Sequence, residues 1–129
     1  MLLKDRVAIV TGSGNGIGRA IAERFGSEGG AVTVAELEEE PGRETAAAIA
    51  AAGGRALFHQ TDTADDGSVK AMVAATVKEF GTVNILVNNA AAFVFGTVEE
   101  VTAQDWEKVF GVNVIGYANA VRACLPEFR

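Results

Sequence analysis

At 129 residues, with 49 % hydrophobic and 22 % charged side chains, the chain has the length and composition of one globular domain. It can bury roughly two thirds of its unfolded surface. A net charge of −6 and a pI near 4.7 exclude a nucleic-acid partner held through its phosphates, and no apolar run approaches the roughly 18 residues of a membrane span.

Val7 to Val10 is a short apolar run suited to a strand buried on both faces. It leads into four glycines, Gly12, Gly14, Gly16 and Gly18. A helical stripe follows, Ile17, Ala20, Ile21 and Phe25, within a helix expected over 16–28 and ended by Gly29-Gly30. Strand, glycine turn and helix start in that order make an anion site. The first helical N–H groups have no partner and the helix dipole adds partial positive charge. Glycine keeps side chains from holding a pyrophosphate off the backbone.

Ala31 to Ala35 reads as the second strand, ending at Glu36. Glu38-Glu39-Glu40 and Pro41 suit a helix start, and an alanine-rich helix is expected over Thr45 to Ala52, stopped by Gly53-Gly54. Arg55 to His59 is the third strand, leading to Thr61-Asp62-Thr63. Val69, Met72, Val73, Thr76, Val77 and Phe80 give the cleanest helical period in the chain, and their default place is the core. Val83 to Val87 is the fourth strand and ends at Asn88-Asn89-Ala90. A loop over 91–101 precedes Thr102, an N-cap with Asp105 three residues on. A long helix then passes Asn113 and Gly116 and approaches Pro126.

This alternation predicts an α/β fold: a doubly wound parallel sheet, strand order 3-2-1-4, with helices on both faces. Thr11, Glu36, Asp62 and Asn88-Asn89 all follow strand ends, so they would meet at one rim, where the strand order reverses. Glu36 lies 18 positions after Gly18; it is either an ordinary strand-end acid or the acceptor for the two hydroxyls of an adenosine ribose. In the second role it would repel a 2′-phosphate. A unit-charge pair at about 4 Å and an effective dielectric near 20 is worth about 4 kcal/mol, and screening leaves a large preference for NAD over NADP even if it halves that. Asp62 is either a turn-forming residue or an acceptor for the adenine amino group. Asn113 is a poor mid-helix residue. His59 and Tyr117 read as structural. No metal-ligand spacing occurs. Cys124 is the only cysteine, which excludes an internal disulfide. With no apolar leader at the N-terminus, a cytoplasmic protein with an inert thiol is expected.

Thr11-Gly12-x-x-x-Gly16-Ile17-Gly18 resembles the glycine motif of the short-chain dehydrogenase/reductase family, and Asn88-Asn89-Ala90-Ala91 resembles that family's Asn-Asn-Ala-Gly, with Ala91 in place of glycine. The resemblance implies a Rossmann-like dinucleotide-binding domain over residues 1–129 and an NAD-dependent oxidoreductase that moves a hydride between nicotinamide and an alcohol or carbonyl substrate. It implies cofactor contacts at Gly12, Ser13, Asn15, Gly16, Ile17, Gly18, Glu36, Leu37, Asp62, Thr63, Asn89, Ala90 and Ala91. It also makes Asn113, in Asn-x-x-Gly, a catalytic position that opens the helix locally and holds a relay water.

The family's Ser and Tyr-x-x-x-Lys would fall beyond Arg129, and residue 121 is Val where Tyr117 would need a lysine. The sheet is therefore expected to stop before the family's remaining strands, and this chain alone to be inactive. The alternative is a non-catalytic fragment that binds nucleotide or assembles with itself. With no neighbour on its far side, the fourth strand would be an apolar edge able to template self-pairing, so a homo-oligomer is expected.

Overall fold

The computed structural model describes all 129 residues. The elements are β1 (Val7–Thr11), α1 (Gly16–Ser27), β2 (Ala31–Glu36), α2 (Glu39–Ala51), β3 (Arg55–Gln60), α3 (Asp66–Phe80), β4 (Ile85–Val87), α4 (Ala103–Phe110) and α5 (Gly116–Phe128), with a π-helical turn, Gly111–Ile115, joining the last two. The sheet is wholly parallel in the order β3-β2-β1-β4, as the alternation predicts.

The two faces of the sheet follow the strand period of two. On one side Val10, Val32 and Val34 pack with Ala22 of α1 and Ile49 of α2. On the other, Ile9 packs with Val69, Met72 and Val73 of α3 and with Ala120 and Cys124 of α5. All of β1 and the first five residues of β2 are buried, because both strands have neighbours on either edge and helices above and below. A hydroxyl pair, Thr33 and Thr76, 2.8 Å apart, crosses the second layer. Thr76 donates to Met72 O, so Thr33 donates to Thr76 and neither polar group is stranded. Burial pushes the Cys124 thiol up to about 11, consistent with an inert core sulfur.

Two local features follow expectation and two differ. Helix α2 starts at Glu39, the helix start that Glu38-Glu39-Glu40 and Pro41 suit, ahead of the alanine-rich stretch from Thr45. Pro41 sits in its first turn, where the missing N–H costs nothing, and Glu39 and Glu40 favour the positive end of the dipole. Strand β4 is shorter than Val83 to Val87: the ladder covers Ile85–Val87, while Asn84 pairs with Val7 through its main-chain N–H (2.8 Å) and its side-chain oxygen (2.8 Å). The helix after Thr102 is interrupted by the π turn around Asn113, the local opening that the resemblance implies. It also runs through Pro126 to Phe128, because in the last turn proline removes only one helical bond.

Thr102 and Asp105 form a reciprocal capping box as expected. Strand β4 pairs with β1 alone and leaves its other edge free. Trp106, Phe110, Val114, Ile115, Val121 and Leu125 lie exposed along α4, the π turn and α5. No helix is long and apolar enough to cross a membrane.

Candidate functional site

The glycine bend is held from beneath by Thr11 and Asn89. Thr11 is fully buried at the end of β1. Its hydroxyl donates to Val87 O (3.3 Å) and accepts from the N–H groups of Asn89 (3.0 Å) and Ala90 (3.1 Å). The Asn89 amide in return donates to the carbonyls of Thr11 and Gly12, both at 3.1 Å. The first bend and the end of β4 are thereby one unit.

Each of the four glycines answers a specific demand. Gly12 and Gly16 have φ of +65° and +55°, a region that side chains avoid. A Cβ on Gly14 would stand 2.8 Å from Glu36 Oε1, and one on Gly18 would run into Gly12 O and Asn89 Nδ2.

Helix α1 opens beyond this bend with nothing capping it. Asn15 makes no side-chain cap bond, and the first turn holds no acid. Helix α3, by contrast, is capped by Asp65, and α4 by its capping box. The free N–H groups and the dipole of α1 therefore present a positive end to the rim.

Glu36 ends β2 beside the bend. Its Oε1 accepts from Gly14 N (2.9 Å) and its Oε2 from Glu38 N (3.1 Å). Two backbone N–H groups thus fix the carboxylate, and each oxygen keeps lone-pair capacity for a hydroxyl. Across the strand ends, Asp62 Oδ1 accepts from Ala64 N (3.0 Å), a turn-forming bond.

A cleft of about 580 Å³ runs along this rim. The structure brings Gly12, Asn15, Ile17, Glu36, Leu37, Asp62, Thr63, Asn89, Ala90 and Ala91 to its walls. Ser13, Gly16 and Gly18 do not line it. Ser13 is buried and its hydroxyl donates to Val10 O at 2.7 Å, while Gly18 packs beneath the bend.

Asn113 sits apart, on a neighbouring cavity. Its amide pairs with both main-chain groups of Ala92: Oδ1 accepts from Ala92 N (2.8 Å) and Nδ2 donates to Ala92 O (3.0 Å). It thus clamps the loop after β4 onto the opened helix turn. Asn88 donates to Tyr117 O at 3.4 Å, and its buried Oδ1 has no partner.

Sequence reasoning did not single out Lys108 and Val112, which line the cleft together with Phe93. Lys108 and Val112 are four apart on successive helical turns and share a face. The position of Val112 next to Asn113 is the only signal that pointed there.

A large cavity also opens between α3 and α5, walled by Val73, Val77, Ala123 and Pro126 with Lys70, Lys78 and Arg122 around it. It touches no strand end and none of the residues above. The rim cleft is the better candidate, because the uncapped helix and the fixed carboxylate converge there.

The family described as short chain dehydrogenase matches residues 6–129. An uncharacterized oxidoreductase of Thermotoga maritima is 42 % identical over 126 residues, covering 98 % of this chain and 49 % of that protein. The short chain dehydrogenase/reductase astE of Aspergillus oryzae is 46 % identical over 118 residues, covering 90 % of this chain and 45 % of its own length. Among solved structures, a short chain dehydrogenase/reductase from Burkholderia phymatum in complex with NAD superposes with a TM-score of 0.94 at 37 % identity, over 98 % of this chain and 45 % of that one. The chain spans about half the length of the curated relatives it matches.

Proposed function

The chain belongs to the short-chain dehydrogenase family, and on that premise we propose that it is the nucleotide-holding half of an NAD-dependent oxidoreductase acting on an alcohol or carbonyl substrate. The observation that carries this reading is the Glu36 carboxylate, fixed by Gly14 N and Glu38 N beside the uncapped start of α1. One feature suits a ribose diol and the other a pyrophosphate. The residues present fit the group: the bend has no room for a Cβ at Gly14 or Gly18, and the cleft is of small-ligand size.

The nicotinamide supplies hydride acceptance or donation when bound. This chain's residues bind and orient. The N–H groups at the start of α1 receive the pyrophosphate, Glu36 accepts from the ribose hydroxyls, and Asp62 and Thr63 border the adenine end. Asn89, Ala90 and Ala91 border the path toward the nicotinamide. The Asn113 amide is engaged by Ala92, so a relay contact there falls to the main chain of the opened turn, with Asn113 as its positioning residue.

No tyrosine with a lysine four residues on stands within these 129 residues. We assign the acid/base step to the part of the family's length that this chain does not span, and by itself the chain is expected to turn over no alcohol. A cytoplasmic setting is part of the same proposal, supported by the single cysteine, which forms no internal disulfide. The free β4 edge favours a second element of the proposal, self-association of the isolated chain.

Calorimetry with NAD, NADP and adenosine monophosphate tests the cleft without requiring turnover. With charge repulsion halved by solvent to about 2 kcal/mol, NAD binds about 30-fold more tightly than NADP. In Glu36→Gln, NAD weakens and that ratio falls to near unity. Equal affinity of the parent chain for both dinucleotides, or heat from neither, refutes the reading.

A further inference from the structure

The charged side chains that line the nucleotide cleft are Glu36, Glu38, Asp62 and Lys108. All but the last are acids. A dinucleotide brings a pyrophosphate, a dianion, into these walls. The start of α1 offers roughly half an elementary charge, which falls short of balancing a dianion set among carboxylates. The cleft therefore calls for a full positive charge, and Lys108 is the one its walls supply.

Lys108 is free to act in this way. Lys70 and Arg122 are both committed to Asp66, at 3.1 and 3.0 Å. Arg19, Arg24 and Arg43 each pair with a glutamate one turn away on their own helix. Lys108 enters no salt bridge. Asp105, three residues back, feels its charge without an ion pair between them.

Helix α4 sets its direction. Lys108 and Val112 both border the cleft, and at a spacing of four they project from one face. The capping box fixes the start of α4. The Asn113–Ala92 clamp holds the turn that follows α4 against the loop after β4. Lys108 thus meets the cleft from an element separate from both the glycine bend and Glu36. A lysine ammonium is a compact charge on a flexible stem, which suits an anion that fixed N–H groups already orient.

We propose that Lys108 is a cofactor-binding residue: its ammonium group meets the pyrophosphate from the α4 side while the N–H groups of α1 hold it from the bend. The assignment rests on the dinucleotide reading above. Its effect is electrostatic, so salt must screen it and a second cation must replace it.

The 129-residue chain and its variants Lys108→Gln, Lys108→Arg and Lys78→Gln are titrated with NAD by calorimetry, at about 20 mM and at about 0.5 M sodium chloride. Lys78 stands at the cavity between α3 and α5, so its variant makes the same change in net charge away from the rim. At low salt Lys108→Gln is expected to bind NAD about fivefold more weakly than the parent, the scale of one exposed charge pair. At high salt the difference falls below about twofold, because the Debye length shrinks to a few ångström. Lys108→Arg keeps the charge and stays within about twofold of the parent. Lys78→Gln matches the parent.

A Lys108→Gln affinity equal to the parent's at low salt overturns the assignment. So does a loss that persists undiminished at high salt, or an equal loss in Lys108→Arg, either of which would mark a packing role. An equal loss in Lys78→Gln overturns it too, because net charge alone would then account for the effect. The reading of the cleft as a dinucleotide site survives each of those results. Absence of heat with NAD from the parent chain at both salts overturns that reading and the role of Lys108 with it.

Discussion

Replacing Gly18 with alanine probes the bend most directly. The added methyl would overlap Gly12 O and the Asn89 amide nitrogen, two atoms joined to each other at 3.1 Å. The amide has to leave, which breaks its bonds to Thr11 O and Gly12 O at about 1 kcal/mol each. Crowding a packed site adds about 1 to 3 kcal/mol, and the helical preference of alanine over glycine returns about 1 kcal/mol. The expected loss is about 3 kcal/mol of unfolding free energy.

Gly16→Ala is the matched control. Nothing lies within 4 Å of its Cβ direction, so only the φ of +55° is penalised, at about 1 kcal/mol. Urea unfolding followed by circular dichroism reads both. With a slope of about 2 kcal/mol per molar, Gly18→Ala loses about 1.5 M in midpoint and Gly16→Ala about 0.5 M. Equal midpoints for the two variants, or a Gly18→Ala midpoint indistinguishable from the parent, would refute the account of how Asn89 braces the turn.

Two further outcomes follow from the same structure. The free β4 edge and the apolar stripe from Trp106 to Leu125 should make the isolated chain dimeric or larger by light scattering at tens of micromolar; a monodisperse monomer counts against that. His59 is half-buried, and burial lowers its pKa below the ordinary value of 6.5. Thr61 Oγ1 donates to His59 O, so that hydroxyl accepts from a neutral ring at Nδ1, 2.8 Å away. The unfolded chain takes up the proton first. Its share of stability is therefore complete above about pH 6.5 and declines as pH falls toward the lowered folded value. His59→Gln should flatten the pH dependence of urea midpoints in that window, and an unchanged slope would show that His59 does not contribute.

The sheet order and the rim were legible in the sequence because buried parallel strands are near-continuous apolar runs and each ends at a turn or polar residue. Val7 to Val10 and Ala31 to Ala35 carry that signal plainly. The start of α2 was legible as well: three glutamates and Pro41 suit a first helical turn, and the helix begins at Glu39. Side-chain direction was hidden. Ser13 stands in the middle of the glycine motif, yet its hydroxyl turns inward to Val10 O, and nothing in a one-dimensional pattern distinguishes that from a cleft-facing serine. Asn113 was visible as an anomaly inside a helix. Its partner Ala92, 21 residues away, is fixed only by the way the π turn brings the helix against the loop.

The five hydrogen bonds that knit Thr11, Gly12, Val87, Asn89 and Ala90 together tie the entry of the glycine bend to the end of β4. On the proposed reading, a dinucleotide at this rim would meet a seat braced from beneath, with less ordering entropy to lose on contact. Capture there should behave as a single encounter step without a slow rearrangement afterwards.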